Sequence, residues 1–170
     1  MNKKAISCHS VLFLILLLTA GCAAERGSSR DFLVQKGVLD LRAWNSGESG
    51  PVFLRGEWKF LWKQLARDGL SLSKGGYINV PSTWDSATVH GEEISRYGYG
   101  TYLITILLPK GLKFSLRIPS IDSAYCLFID GEKPFCNGTV EIAEKGSRTR
   151  YYAPAVLDLP VSDKPITLTF

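Results

Sequence analysis

SAYCLFIDGEKPFCNG, residues 123–138, has the pattern of a β-hairpin: an apolar run, the turn dipeptide Asp130-Gly131, and a second short run. The length of its turn decides whether its two cysteines meet. A two-residue turn would place Cys126 and Cys136 on opposite faces of the hairpin. A three-residue turn that includes Glu132 would place them directly opposite each other, at a spacing that a disulfide can close. The sequence therefore leaves a disulfide and two reduced, buried thiols as alternatives.

The segments around this hairpin alternate apolar and polar residues with the period of a β-strand, as in Phe114-Ser-Leu-Arg-Ile118. The segments predicted as strands in this way are 56–62, 101–108, 114–118, 125–129 and 166–170. Proline and glycine recur between them, and only 63–69 is typical of a helical turn. Many short strands with frequent turns predict an all-β sandwich or barrel. Three tryptophans are predicted to anchor its core: Trp58, Trp62 and Trp84.

The amino terminus has the features of a bacterial export signal. Two lysines precede an apolar run that is about half the ~20 residues a bilayer-spanning helix needs. The sequence LTAGC at 18–22 resembles the bacterial lipobox, which implies that residues 1–21 are a lipoprotein signal peptide and that Cys22 carries lipid. The alternative is an ordinary signal peptide cut near Ala23-Ala24. The small polar residues that follow predict a flexible tether over 22–35.

Lipid on Cys22 predicts a chain anchored in the bacterial cell envelope, facing the periplasm or the exterior. Two or three acyl chains are enough for stable anchoring in a membrane. If the organism has a periplasm, export also places the hairpin cysteines in an oxidising compartment, where disulfides persist.

Charge and composition exclude some partners. Removal of residues 1–21 lowers Lys plus Arg from 20 to 18 and leaves Asp plus Glu at 16, so the mature net charge is +2. There is no run of basic residues, which argues against nucleic acid as a partner. Four Trp, seven Tyr and eight Phe indicate a β-rich core or an aromatic binding face.

An ordered series of short motifs runs through residues 36–170. In chain order it comprises GVLDLRAW at 37–44, GEWKF at 56–60, VPSTW at 80–84, YGTY at 99–102, FIDG at 128–131 and NG at 137–138. The series resembles galactose-binding-like jelly-roll domains, as in the sugar-binding domain of β-galactosidases and β-glucuronidases. It is more similar to the extracytoplasmic amino-terminal domain of bacterial seven-transmembrane receptors with diverse intracellular signalling modules, and of related cyclases and sensor kinases.

The resemblance implies a galactose-binding-like jelly-roll β-sandwich over 36–170 that binds or spaces rather than catalyses. In the glycosidases the catalytic carboxylates belong to a separate barrel domain. Cys126 and Cys136 depart from the pattern, because ordinary strand residues are expected at those positions.

The residues themselves also predict no catalytic site, metal or cofactor. His90 is the one histidine after the signal peptide, and it lies in a segment, VHGEE at 89–93, expected to be a solvated loop. A zinc site usually needs several His or Cys ligands. Glu92 and Glu93 are adjacent and would point apart, which does not suit an acid/base pair.

A ligand-binding rim is predicted at one end of the sandwich. If the strands from 101 to 136 reverse in succession, the loops 81–100, 119–123 and 137–150 gather at that end. The candidate ligand-binding residues there are Arg96, Tyr97, Tyr99, Asp122, Asn137, Arg148 and Arg150. Tyrosine rings stack on sugars, and Arg, Asn and Asp hydrogen-bond to hydroxyls. The alternative is that the tyrosines only cover the end of the core.

Two functions fit these observations. The first is a sensory module that binds a carbohydrate or another small polar solute. The second is a structural or protein-interaction lipoprotein that acts as an adaptor to another envelope protein. We expect the chain to be the amino-terminal part of a longer protein, whose downstream part would be a transmembrane signalling domain. An envelope hydrolase is disfavoured because a catalytic constellation is lacking.

Overall fold

The structure, a computed structural model, describes residues 31–170 with the exception of 48, 67–68, 85–86, 90 and 141–153. These residues form mostly antiparallel β-sheets with almost no helix, so the all-β prediction is confirmed. No helix within them is long and apolar enough to cross a bilayer. The predicted signal peptide at 1–21 and lipidation site at Cys22 lie outside the described residues.

The described residues form eleven strands in one seven-stranded and two two-stranded sheets. In chain order the strands are β1 (Val38–Asp40), β2 (Gly56–Trp62), β3 (Gly76–Val80), β4 (Thr88–Val89), β5 (Glu92–Glu93), β6 (Gly100–Leu107), β7 (Ser115–Ile118), β8 (Tyr125–Ile129), β9 (Phe135–Asn137), β10 (Ala155–Asp158) and β11 (Ile166–Thr169). The large sheet has the order β3-β2-β6-β11-β8-β9, and β1 joins it by pairing in parallel with β6. The small sheets are β7 with β10 and β4 with β5.

Strand β6 organises the inner face of the large sheet, because it pairs with β1, β2 and β11. Ile106 lies opposite Ile166 and Ile104 opposite Leu168, and all four side chains are buried. Burying an aliphatic side chain of this size stabilises the fold by roughly 1.5–3 kcal/mol. The period-two pattern therefore identified the inward-facing residues of these strands correctly.

Two smaller units cover the inner face. The β7–β10 pair contributes Ile118 to a buried cluster that also contains Ile104 and Ile106, with Leu157 packed against it. The β4–β5 hairpin contributes Val89 to a second buried cluster with Phe60 and Ile78. This arrangement is consistent with a sandwich in which the second layer has two parts.

The segment between β3 and β6 differs from the prediction for 81–100. Val80 at the end of β3 lies opposite Gly56, whereas Gly100 at the start of β6 lies opposite Trp62. Since Gly56 and Trp62 are the two ends of β2, this segment crosses the sheet instead of gathering at one end. Part of it forms the β4–β5 hairpin, where a solvated loop was predicted. The hairpin reverses at Gly91, whose φ of 81° favours glycine.

The sandwich also begins earlier than predicted. The Val34 N–H donates to the Arg55 carbonyl at 2.8 Å, and the Val34 carbonyl accepts from the Glu57 N–H at 2.8 Å. Val34 is fully buried, and Phe32 packs against the same core. The predicted tether over 22–35 is therefore too long, because the residues from 31 onward already contribute to the domain.

Helical structure is limited to short turns. A 3₁₀ helix spans Leu72–Lys74, where none was predicted. Within the predicted helical turn at 63–69, Lys63 has a φ of 54° directly after β2, and Ala66 is in 3₁₀ conformation. Residues 67–68 lie outside the described residues.

The β8–β9 hairpin places Cys126 directly opposite Cys136, and the two form a disulfide with a Cα–Cα distance of 4.1 Å. The disulfide alternative is therefore confirmed. The turn, however, is not the three-residue loop on which that alternative depended. Asp130 and Gly131 have φ values of 51° and 76°, and the Glu132 N–H donates to the Ile129 carbonyl at 3.0 Å. Positive φ at both central positions is typical of a two-residue type I′ turn.

A bulge in the second strand supplies the missing residue. The turn brings Ile129 to Glu132, and the strand pairing brings Leu127 to Phe135. Between these pairs Phe128 faces two residues, 133 and 134, so the register shifts by one. Position 134 is proline, which has no N–H to donate to a ladder and is suited to such a bulge.

Candidate ligand-binding cleft

A cleft of 1540 Å³ lies between the inner face of the large sheet and the elements that cover it. One end is lined by residues 50–55, which precede β2. The other end is lined by 98–101, 123–125 and 138–140, which lie at the start of β6, the start of β8 and the end of β9. The sequence predicted a ligand-binding rim at this second end. Pockets for small molecules typically measure about 300–1,000 Å³, so the cleft has room for a ligand of several rings.

Four aromatic rings from four adjacent strand positions form a row along the cleft. They are Trp58 in β2, Tyr102 in β6, Phe170 after β11 and Tyr125 in β8. Ring centroids lie 6.2 Å apart from Trp58 to Tyr102, 6.0 Å from Trp58 to Phe170, and 6.1 Å from Phe170 to Tyr125. Tyr102 and Phe170 exchange two backbone hydrogen bonds of 2.9 Å, which fixes the centre of the row. Such rings can stack on a ligand ring.

Two further tryptophans flank this aromatic row. The Trp84 Nε1–H donates to the Tyr102 hydroxyl at 2.6 Å, and the Trp84 and Trp62 rings lie 5.0 Å apart. Residue 98 must be glycine here, because a Cβ would lie 2.2 Å from the Trp62 ring. The prediction of three core-anchoring tryptophans is confirmed, since Trp58 is buried and the other two are half-buried in ring contacts.

Two buried polar atoms of the aromatic row have no hydrogen-bond partner: Trp58 Nε1 and the Tyr125 hydroxyl. Their side chains are 6% and 8% exposed, and both residues line the cleft. Indole N–H can only donate a hydrogen bond. Burial raises the pKa of Tyr125 above its ordinary value of 10.0, so its hydroxyl is protonated at neutral pH. An unsatisfied buried donor costs about 1–3 kcal/mol and is uncommon in folded proteins.

The charged residues of the cleft have one sign. Among the described residues that line it, Arg55 and Arg117 are cationic and none is Asp or Glu. Arg55 forms an ion pair of 2.8 Å with Asp31, while Arg117 belongs to β7 in the covering layer. The cleft therefore presents a bound molecule with hydrogen-bond donors and positive charge beside a mainly apolar wall.

The structure brings one predicted ligand-binding residue, Tyr99, into the cleft lining, where it is half-buried. Tyr97 is 79% exposed and outside the lining. Three more predicted residues also lie outside the lining: Arg96, Asp122 and Asn137. The remaining two lie outside the described residues: Arg148 and Arg150.

Sequence reasoning assigned no binding role to Trp58, Tyr102 or Tyr125. A signal was present, because each is an aromatic residue with a polar tip at an inward-facing strand position. Phenylalanine would pack there without needing a partner, whereas Trp and Tyr add a donor that burial must satisfy. What the sequence could not supply was the outcome for each donor. Tyr102 meets Trp84, and the other two meet nothing.

Comparison with known proteins leaves the role of the cleft to its geometry. A scan against protein-family models and a search of curated proteins gave no match to this chain. Within the described part of the chain, no group of three or more His, Cys, Asp or Glu side chains is placed to share a metal ion. The shape, donors and charge of the cleft therefore carry the functional inference.

Proposed function

We propose that the chain is a lipid-anchored, extracytoplasmic, non-catalytic binding or sensory module whose ligand is a carbohydrate or another small polar solute. The observation that carries the proposal is the aromatic row with its two buried, unpartnered donors in one cleft. Aromatic faces stack on sugar rings, and buried donors fix the orientation of a ligand oxygen. Such a site holds a ligand without needing a reacting group.

The proposed architecture is a galactose-binding-like jelly roll. Support comes from the antiparallel sheets and from the positions that the motif residues occupy. Gly56 of GEWKF abuts Val34, YGTY at 99–102 begins β6 in the cleft lining, and FIDG at 128–131 makes the β8–β9 turn. A downstream transmembrane signalling domain of a longer protein, or a separate envelope protein, would respond to the bound ligand.

The place where the tether joins the domain suits this proposal. Asp31 is ion-paired to Arg55, next to Gly56 at the start of β2. The rim end of the cleft begins at Gly100, opposite Trp62 at the other end of β2. Residues 22–30 can span at most roughly 30 Å. A lipid on Cys22 would thus hold the Gly56 end near the membrane and leave the rim end open to solvent.

We expect Tyr99→Ala to weaken ligand binding about tenfold, since the loss of one stacking ring removes on the order of 1 kcal/mol or more. The change should leave Tm nearly unaltered, because Tyr99 is only half-buried. A glycan array would first identify the ligand, and calorimetric titration of the mature lipidated chain in lipid nanodiscs would measure the affinity.

The matched control is Tyr77→Ala. Tyr77 is also partly exposed, but it lies on β3 outside the cleft lining, with the Lys59 ammonium 4.8 Å from its ring centroid. Its replacement should not change affinity. Tyr97→Ala, made in parallel, tests whether the exposed rim adds contacts as the sequence predicts. Equal affinities for wild type and Tyr99→Ala, or no binding of any glycan or polar solute, would contradict the proposal.

A further inference from the structure

We propose that the cleft recognises a carboxylate-bearing ligand with a ring or apolar body, whose carboxylate accepts hydrogen bonds from Trp58 Nε1 and the Tyr125 hydroxyl. This inference rests on the proposed binding function and names the chemical class of its ligand. It narrows a general solute site to one that selects for an anionic acceptor group.

The first step is the chemistry of the two unpartnered atoms. Trp58 Nε1 can only donate, so the group that satisfies it must be an acceptor. The Tyr125 hydroxyl is the second unpartnered atom, and the Trp58 and Tyr125 rings both contact Phe170, at 6.0 and 6.1 Å. Two donors on either side of one ring suit a ligand group with two acceptor oxygens.

The second step is charge. A carboxylate moved from water into an apolar cleft needs compensating donors or positive charge. Arg117 and Arg55 border the cleft, and none of its described lining residues is Asp or Glu. An anion therefore meets complementary groups there, whereas an ammonium ligand would meet two cations and two donors.

The third step is the ligand body. Apart from these groups the wall is largely apolar and aromatic, with Tyr102 and Trp84 turning their polar atoms toward each other in a hydrogen bond of 2.6 Å. A ring packed against this wall would leave its carboxylate facing the two free donors. Sugar acids and cyclic or aromatic carboxylic acids share this chemistry.

The test uses two pairs of probes that differ only in charge: glucuronate against glucuronamide, and cyclohexanecarboxylate against cyclohexanecarboxamide. Each is titrated calorimetrically into the mature lipidated chain in nanodiscs. We expect at least one acid to bind about tenfold or more tightly than its amide, because hydrogen bonds to a charged acceptor are the stronger ones.

Trp58→Phe and Tyr125→Phe each delete one donor and keep an aromatic ring. Each should weaken acid binding about tenfold. The Tm of the unliganded chain should stay the same or rise, because an unsatisfied buried group is lost. A merely structural role for either donor would instead lower Tm. Tyr77→Phe is the control that should change neither quantity, and Arg117→Gln, on an exposed residue, should reduce the acid preference without disturbing the core.

Three outcomes would overturn the inference. Equal affinity for acid and amide, or an acid preference that survives both donor deletions, would reject the carboxylate site while leaving the proposed binding function intact. Failure of all four probes, together with a negative glycan array, would reject both.

Discussion

Gly56→Ala should lower the free energy of unfolding by about 3 kcal/mol or more, a loss in the range of severe single substitutions. A Cβ at position 56 would lie 2.3 Å from the Val34 carbonyl oxygen and 2.9 Å from the Val34 nitrogen. Both are backbone atoms that cannot rotate away. The φ of 121° at this position adds strain for any residue with a side chain. Chemical denaturation followed by tryptophan fluorescence measures the change.

The matched control is Gly50→Ala. A Cβ there meets no heavy atom within 4 Å, and the residue has no positive φ, so its stability should change by less than about 0.5 kcal/mol. Equal stability of the two variants would show that the 31–35 segment does not lie against β2 as described. The same result would remove the argument that the tether joins the domain at that end.

Removal of the disulfide should have the second largest effect. The double replacement Cys126→Ala/Cys136→Ala should cost roughly 2.5 kcal/mol, because the crosslink closes a loop with a sequence separation of 10 and restricts the unfolded chain. Guanidinium denaturation of wild type and double variant gives the difference. Wild type treated with a reductant is the control and should match the double variant.

The same change should also weaken ligand binding. Strand β9 has only three residues and a single neighbour in the sheet, and it leads into 138–140, which line the cleft. Without the crosslink, β9 is held by a few backbone hydrogen bonds. Unchanged stability, or two alkylatable thiols at 126 and 136 in non-reducing mass mapping, would contradict the described hairpin.

The strands could be predicted from sequence because their alternation reports burial directly. Ile104 and Ile106 lie on one face of β6, and Leu168 lies opposite one of them on β11, as period two requires. The disulfide required more than pattern. A turn of the wrong length and an unseen bulge at 133–134 would each shift the register, and here the bulge replaced the predicted third turn residue.

Long-range placement was not available from the sequence. Val34 belongs to a polar stretch that resembles a tether, and its burial depends on Gly56, more than twenty residues later. The segment between β3 and β6 crosses the sheet because β3 ends opposite the start of β2, which is a fact of topology. The cleft escaped notice for the same reason, since the residues of its aromatic row come from four separate parts of the chain.

The most direct test of the central claim, that this cleft is a ligand-binding site, is the indole N–H region of a ¹H–¹⁵N spectrum recorded during titration with glucuronate. The chain has four tryptophans, so assignment by single substitution is practical. The Trp58 signal should move as its unpartnered Nε1–H gains an acceptor, while Trp44, already bonded to the Ser49 and Gly50 carbonyls at 3.1 Å, should stay in place. A Trp58 signal that stays fixed while glucuronate binds, or a spectrum that does not change at all, would contradict the account.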